Sequence, residues 1–367
     1  MKGFPLKRMV ALPAVAALAF GLAACGSENE SGGDDGDSTK EGTQLSGTLS
    51  GAGASSQDAA QQAWSAGFLE KHPDVTVNYD PIGSGGGREQ FTQGGTDFGG
   101  TDAALEGEEL EAATKRCGKV VEVPTYISPI ALIFKVEGVD ELNLKPDTIA
   151  KIFNQKITKW NDPEIAKTNP DAKLPDTAIT PVNRSDESGT TENFVEYLSA
   201  VAPDAWPHEV SGDWPVKGGE AAQGTSGVVQ AVKNGSGTIG YADASQAGDL
   251  ATVKVGVGEE FTAYSPEAAA KIVEVSERVE GRGEYDFAYD LARDTTESGA
   301  YPIVLVSYAM ACAEYDDKKT ADLVKAYLSY MVSEDGQAAA AESAGSAPLS
   351  DALRKQVTPA IEAISAG

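Results

Sequence analysis

Three times along this chain a β-like run ends in glycine and hydroxyl residues and passes straight into a helical pattern. Residues 45–49 lead into Gly51-Ala52-Gly53-Ala54-Ser55-Ser56. Ala60, Trp64 and Phe68 then recur four apart, which puts Ser55 and Ser56 at a helix N-terminus. Residues 75–79 alternate apolar and polar as a strand does. Ile82-Gly83-Ser84-Gly85-Gly86-Gly87 follows, predicted as a flexible turn before a helix starting near Arg88. A strand around 179–182 precedes Asn183-Arg184-Ser185-Asp186-Glu187-Ser188-Gly189-Thr190, and Phe194, Val195 and Leu198 continue at helical spacing. A helix start presents unpaired N–H groups and the positive end of the dipole, and serine or threonine adds hydroxyls. Arg184 adds a planar fork of donors that matches a tetrahedral oxyanion. A single junction of this kind reads equally well as an ordinary Ser/Thr cap beside a surface arginine. Three in one chain point to a desolvated anion.

The rest of the chain alternates in the same way. Strands are predicted at 120–123, 130–136, 238–241 and 301–306, and helices at 146–154, near 227–232, and at 321–331, 335–344 and 350–364. Such alternation predicts an α/β fold with parallel sheets, and the length suits two domains.

The N-terminus reads as a targeting segment. Lys2, Lys7 and Arg8 precede an apolar run, 9–20, that is shorter than the ~20 residues a membrane span needs. Leu22-Ala23-Ala24-Cys25 has small residues directly before a cysteine, the pattern of a lipoprotein signal covering residues 1–24 with lipid on Cys25. An ordinary secretory signal with an incidental cysteine is the alternative. Residues 25–44 are acidic, Gly/Ser-rich and nearly free of apolar side chains, as a flexible tether is. The formal charge is −27, and −30 without residues 1–24, which hold three cations and no acid. That balance excludes nucleic acid and anionic lipid as electrostatic partners. It does not exclude a small anion, because hydrogen bonds in a dry site act within a field screened over ~8 Å. Cys117 and Cys312 remain as an even pair, which reads as a disulfide outside the cell; two buried thiols are the alternative.

Taken in order, the motifs GAGASS (51–56), IGSGGG (82–87), DFGGTDA (97–103), Arg184 with SGT (188–190), and GTIGY (237–241) resemble those of the phosphate-binding protein of the bacterial phosphate ABC transporter. The resemblance covers nearly all of the chain after the linker. It implies a two-lobed, type II periplasmic-binding-protein fold, each lobe a mainly parallel sheet flanked by helices and joined by two crossover strands as a hinge. Residues 45–126 and 304–367 would form the first lobe and 127–303 the second, with crossings near 125–128 and 301–304. It assigns phosphate contacts to Ser55, Ser56, Ser84, Asp102, Arg184, Ser188, Gly189 and Thr190. Family members often carry Thr-Phe at the Ser55-Ser56 position and a second serine at Gly85; Ser56 can contribute its backbone N–H whatever its side chain does. The implied setting is a lipid-anchored monomer on the outer face of the cell membrane, serving permease subunits and needing no cofactor.

A hydrolase reading requires a base beside a serine nucleophile such as Ser84 or Ser188. Only His72 and His208 are available, each next to a proline and read as a surface residue. No Cys/His cluster suggests a metal. Sulfate, molybdate or tungstate receptors are closer rivals, as is a phosphate sensor or adhesin without a transport role. Asp102 separates the oxyanions, since a carboxylate accepts a proton from HPO4²⁻ or H2PO4⁻ but only repels a fully ionised anion. Its plain alternative is a turn cap after Thr101.

Overall fold

Each glycine–hydroxyl run sits where a strand gives way to a helix. The computed structural model describes residues 45–367, so the signal predicted at 1–24, Cys25 and the tether predicted at 25–44 lie outside the described residues. β1 (Gly47–Gly53) enters α1 (Asp58–Lys71) through a 3-10 turn at Ser55–Gln57. β2 (Val75–Asp80) enters α2 (Ser84–Gln93), and β3 (Phe98–Thr101) is followed by α3 (Gly107–Cys117). Next come β4 (Val120–Lys135), β5 (Glu141–Leu144), α4 (Pro146–Phe153) and α5 (Pro163–Thr168). β6 (Thr180–Arg184), α6 (Gly189–Val201), β7 (Glu220–Ala222), α7 (Gly224–Asn234) and β8 (Thr238–Asp243) repeat the strand–helix rhythm. β9 (Ala251–Val257), β10 (Glu260–Thr262), α8 (Pro266–Val275) and a short pair, β11 (Glu277–Arg278) with β12 (Tyr289–Asp290), lead to β13 (Val304–Cys312). α9 (Lys318–Val332), α10 (Glu334–Ala344) and α11 (Asp351–Glu362) complete the helices. Among the described residues no helix is long and apolar enough to cross a membrane.

The mixed sheet runs β2-β1-β3-β13-β4-β8-β6-β7, with β9 on β4 carrying β5 and β10. β1 is parallel to β2 and β3, and β6 is parallel to β7 and β8. The antiparallel pairs are those of β13 with β3 and β4, of β4 with β8 and β9, and of β9 with β10. β4 therefore joins two half-sheets: its residues up to Pro129 pair with β13, and those from Ile130 pair with β8.

Three sequence expectations change here. The prolines at 124 and 129 separate the predicted strands 120–123 and 130–136, yet β4 runs unbroken through both. Ser307 faces Tyr126 while Tyr308 faces Pro124, so Thr125 is an extra residue at a bulge, which tolerates a missing N–H. Pro129 falls at the last pair with β13, where the partner changes. The second change is at residues 84–87, which are helical from Ser84 instead of forming a turn. Three glycines in a first turn cost about 1 kcal/mol each in intrinsic propensity. Packing overrides that cost: a Cβ at Gly87 would stand 2.3 Å from the Cα of Gly53, so α2 lies directly on β1. The strand predicted at 301–306 also moves, starting at Val304 and continuing to Cys312.

Apolar faces close the layers on both sides. Phe68, Phe98 and Tyr327 meet edge to face beneath α1 and α9. Phe153, Phe194, Trp214 and Tyr241 form a second aromatic cluster beneath α6. Cys117, ending α3, is disulfide-bonded to Cys312, ending β13, with Cα atoms 4.8 Å apart. The bond spans 195 residues of sequence, and in the chain-entropy model a loop of that size stabilises by on the order of 5 kcal/mol. Replacing both cysteines by serine should lower the melting temperature clearly, and thiol titration of the unfolded, unreduced parent should detect neither Cys117 nor Cys312. Two reactive thiols from those positions would contradict the bond.

Candidate functional site

The C-terminal ends of β1, β2, β3, β6 and β7 converge, as ligand loops do in open α/β sheets. Ser55, Ser56, Ser84, Asp102, Arg184, Ser188 and Thr190 are all at most 7% exposed, and Gly189 is buried with them. At their centre is Asp102, just past β3. Its Oδ1 accepts from Ser56 Oγ at 2.6 Å and Ser307 Oγ at 2.6 Å; its Oδ2 accepts from Ser56 Oγ and Thr190 Oγ1, both at 2.8 Å. Its N–H donates to Ser84 Oγ at 3.2 Å, and its carbonyl accepts from Asn193 Nδ2 at 2.7 Å. Burial raises the Asp102 carboxyl above the usual carboxylate range, while the three hydroxyls and the nearby Arg184 charge pull it back down.

Across from Asp102, Ser188 caps α6 by accepting from the Thr191 N–H at 3.2 Å, which leaves its own hydroxyl hydrogen to donate elsewhere. The plain capping reading of Ser188 is thus part of the geometry. Gly189 must be glycine: a Cβ there would stand 2.7 Å from Ser84 Oγ and 2.8 Å from Asp102 Cβ. The two half-sheets therefore touch at this residue. They touch again where the Ser55 and Thr225 hydroxyls lie 3.0 Å apart, with the Thr225 N–H donating to Ser55 Oγ at 3.1 Å.

Arg184 ends β6 with its side chain 2% exposed. Its Nε donates to Asp186 Oδ1 at 2.8 Å and its Nη2 to Asp186 Oδ2 at 2.5 Å. Asp186 also accepts from the Gly224 N–H at 3.0 Å. Burial pushes Asp186 up, but the bonds and charge of Arg184 and the Gly224 N–H outweigh it, and the carboxyl ends below its ordinary value. Asp186 thus locks one edge of the guanidinium, and Nη1 has no hydrogen-bond partner among the described residues.

Sequence reasoning missed four of these side chains. Asp186 stands two residues after Arg184 inside the motif already singled out. Thr225 belongs to a fourth junction, Gly224-Thr225-Ser226-Gly227, hidden because β7 is three residues of Glu-Ala-Ala and carries no strand pattern. Asn193 lies one turn into α6. Ser307 sits in a buried apolar strand, and nothing in the sequence marks it. The two histidines are half-buried instead of on the surface: His72 packs on Phe68, and His208 lies against Trp206 with Nε2 3.2 Å from Asn154 Oδ1. Neither is among the hydrogen-bond partners of Ser84 or Ser188.

An anion-binding cleft at strand ends, closed between two half-sheets, is the class of protein this geometry defines. The family model described as PBP superfamily domain matches residues 38–335. The chain is 35% identical over 327 residues, 87% of each chain, to Phosphate-binding protein PstS3 of Mycobacterium bovis (strain BCG / Pasteur 1173P2). It is 34% identical over 368 residues to Phosphate-binding protein PstS 3 of Mycobacterium leprae (strain TN), covering 96% of this chain and 98% of that one. The solved structure of a high-affinity periplasmic phosphate-binding protein (PfluDING) bound with phosphate at pH 8.5 shares the fold, with a TM-score of 0.72 at 21% identity over 85% of this chain and 93% of that one. The chain belongs to the phosphate-binding proteins of the PBP superfamily.

A second buried carboxylate lies close by. Asp243 Oδ1 accepts from Tyr126 OH and the Ser245 N–H, both at 3.0 Å, and from Ser245 Oγ at 2.5 Å; Oδ2 is buried without a hydrogen-bond partner among the described residues. Burial pushes its carboxyl up to about 7 against the pull of the Ser245 and Ser128 donors. The folded chain therefore holds a proton here that the unfolded chain releases near its ordinary value of 3.8. Stability from this group is full below that value and is lost as pH rises toward 7. The fall in melting temperature between pH 5 and 8 should accordingly be smaller in Asp243→Asn than in the parent, whereas identical slopes would show that Asp243 is ionised throughout.

Proposed function

We propose that this chain binds inorganic phosphate between two lobes, 45–126 with 304–367 and 127–303, and delivers it to a phosphate ABC transporter on the outer face of the cell membrane. The observation that carries the reading is the pairing of a buried acceptor, Asp102, with buried donors from both half-sheets. Ser55, Ser56, Ser84, Ser188 and Thr190 supply hydroxyls, the α6 start at Gly189 supplies N–H groups, and Arg184 offers its Nη1 edge. When a Ser56 or Thr190 hydroxyl turns from Asp102 to a ligand oxygen, it frees a lone pair for the ligand's own proton. HPO4²⁻ and H2PO4⁻ carry that proton, and sulfate does not. The change of β4 partner at Pro129 supports the lobe boundary, with the crossings falling near 125–128 in β4 and near 301–304 at the entry to β13. The names of the relatives support binding rather than catalysis. Lipid attachment at Cys25 rests on Leu22-Ala23-Ala24-Cys25, and the permease subunits and a monomeric state follow from the family resemblance.

Calorimetric titration of residues 43–367, stripped of bound anion, with phosphate and sulfate tests the reading. Arg184→Ala should nearly abolish phosphate binding, since truncating one side of a desolvated charge pair costs roughly 2–5 kcal/mol. Asp102→Asn offers an N–H donor to either anion, so sulfate should gain on phosphate; a site left with an unmatched polar contact discriminates by ~10⁴–10⁵. Unchanged affinity in the first variant would misplace the site, and an unchanged phosphate-to-sulfate ratio in the second would make Asp102 a cap. Mass spectrometry of membrane-extracted full-length protein should find an acylated N-terminal Cys25; an unmodified N-terminus would remove the anchor.

A further inference from the structure

Arg88 makes none of the contacts described above, yet its side chain is 5% exposed. It extends from α2, one turn beyond Ser84. Nη1 donates to Thr101 Oγ1 at 3.0 Å, which ties it to β3 beside Asp102. Nε lies 2.7 Å from Glu109 Oε2 on α3, an ion contact off the hydrogen-bond line. Both partners belong to the same half-sheet as Arg88. The third does not: Nη2 pairs with Glu187 Oε1, in the loop after β6, directly before the Ser188 cap of α6.

Glu187 occupies space that a side chain at position 85 would need. A Cβ on Gly85 would stand 1.9 Å from Glu187 Oε2, 2.3 Å from its Cδ and 2.8 Å from its Cβ. On its other flank, a Cβ on Gly212 would stand 3.1 Å from Glu187 Cγ, and the Ser188 N–H donates to the Gly212 carbonyl at 3.0 Å. The Glu187 side chain is thus held between two glycines from different parts of the chain, with its carboxylate against Arg88.

We propose that Arg88 and Glu187 form a latch across the mouth of the anion cleft, and that Gly85 is glycine because the latch needs its volume. The assignment rests on the phosphate reading above. Thr101 and Glu109 hold the guanidinium in place on one half-sheet, so closure has to order only Glu187, which travels with the start of α6. Breaking the pair belongs to opening, so its effect falls on release more than on capture. Glu187 is 41% exposed, which keeps the effect moderate.

Stopped-flow measurement of phosphate release tests this. Glu187→Gln should release phosphate on the order of ten-fold faster, with association little changed; Glu187→Asp, which keeps the charge at shorter reach, should recover part of the difference. Gly85→Ala should accelerate release in the parent, because the methyl expels Glu187, but add nothing in a Glu187→Gly background. A glycine kept only for backbone conformation would make Gly85→Ala equally damaging in both backgrounds, and that additivity would overturn the pairing. An unchanged release rate in Glu187→Gln would overturn the latch. A spin-label distance between α2 and α6 in anion-free protein supplies the second readout: it should lengthen in Glu187→Gln, and an unchanged distance would count against the latch. A parent that binds no phosphate would defeat the functional reading instead, leaving the latch to be judged by that distance alone.

Discussion

A buried carboxylate is the constraint on which the site depends. Asp102 is cut off from water, and an unpaired charge in that position would cost several kcal/mol. Three hydroxyls satisfy it, and they come from separate parts of the chain: Ser56 at the entry to α1, Ser307 on β13 and Thr190 at the start of α6. Each can reach only if its own element is seated, so the local order of the site and the closure of the half-sheets are one event. The bulge at Thr125 belongs to the same arrangement, since the β13 residue beside the change of register is Ser307. Gln57 completes it by donating from Nε2 to Ser307 Oγ at 2.6 Å, which orients that hydroxyl toward Asp102.

What was legible in the sequence is what local chemistry encodes. Glycine followed by a hydroxyl and then by helical spacing marks a junction wherever it occurs, so Ser55, Ser84, Ser188 and the elements around them were open to reading. Long-range contacts were not. The glycines at 85–87 read as a turn because their reason for being helical lies elsewhere: Gly53 beneath the helix and Glu187 above it. Pro124 reads as a strand breaker because the bulge that accommodates it is a property of the pair β4–β13. Ser307 is one polar residue in an apolar strand, and its meaning is set by a partner 205 positions away.

The acidic surface and the anion site coexist because they obey different physics. Surface charges act through screened water, whereas the site acts by contact. Charge still shapes the cleft: Burial and the glutamates at 106, 187 and 109 raise the Glu192 carboxyl to about 7 despite Arg88. Arg88 and Arg184 each answer local acid groups, one with Glu109 and Glu187, the other with Asp186. Thr101 with Glu109 on one side and Asp186 on the other orient each cation from within its own half-sheet, a form of preorganisation that spares closure the entropy of ordering two long side chains.

The Cys117–Cys312 bond ties the end of α3, just ahead of β4, to the end of β13, and so closes a neck at the foot of those two paired strands. Every residue from 118 to 311 therefore belongs to one covalent ring, and that ring contains all of the second half-sheet. A single proteolytic nick in any of its surface loops would leave two fragments still tethered at the neck. Such a ring turns a cut that would release half the binding site into one the molecule can survive intact.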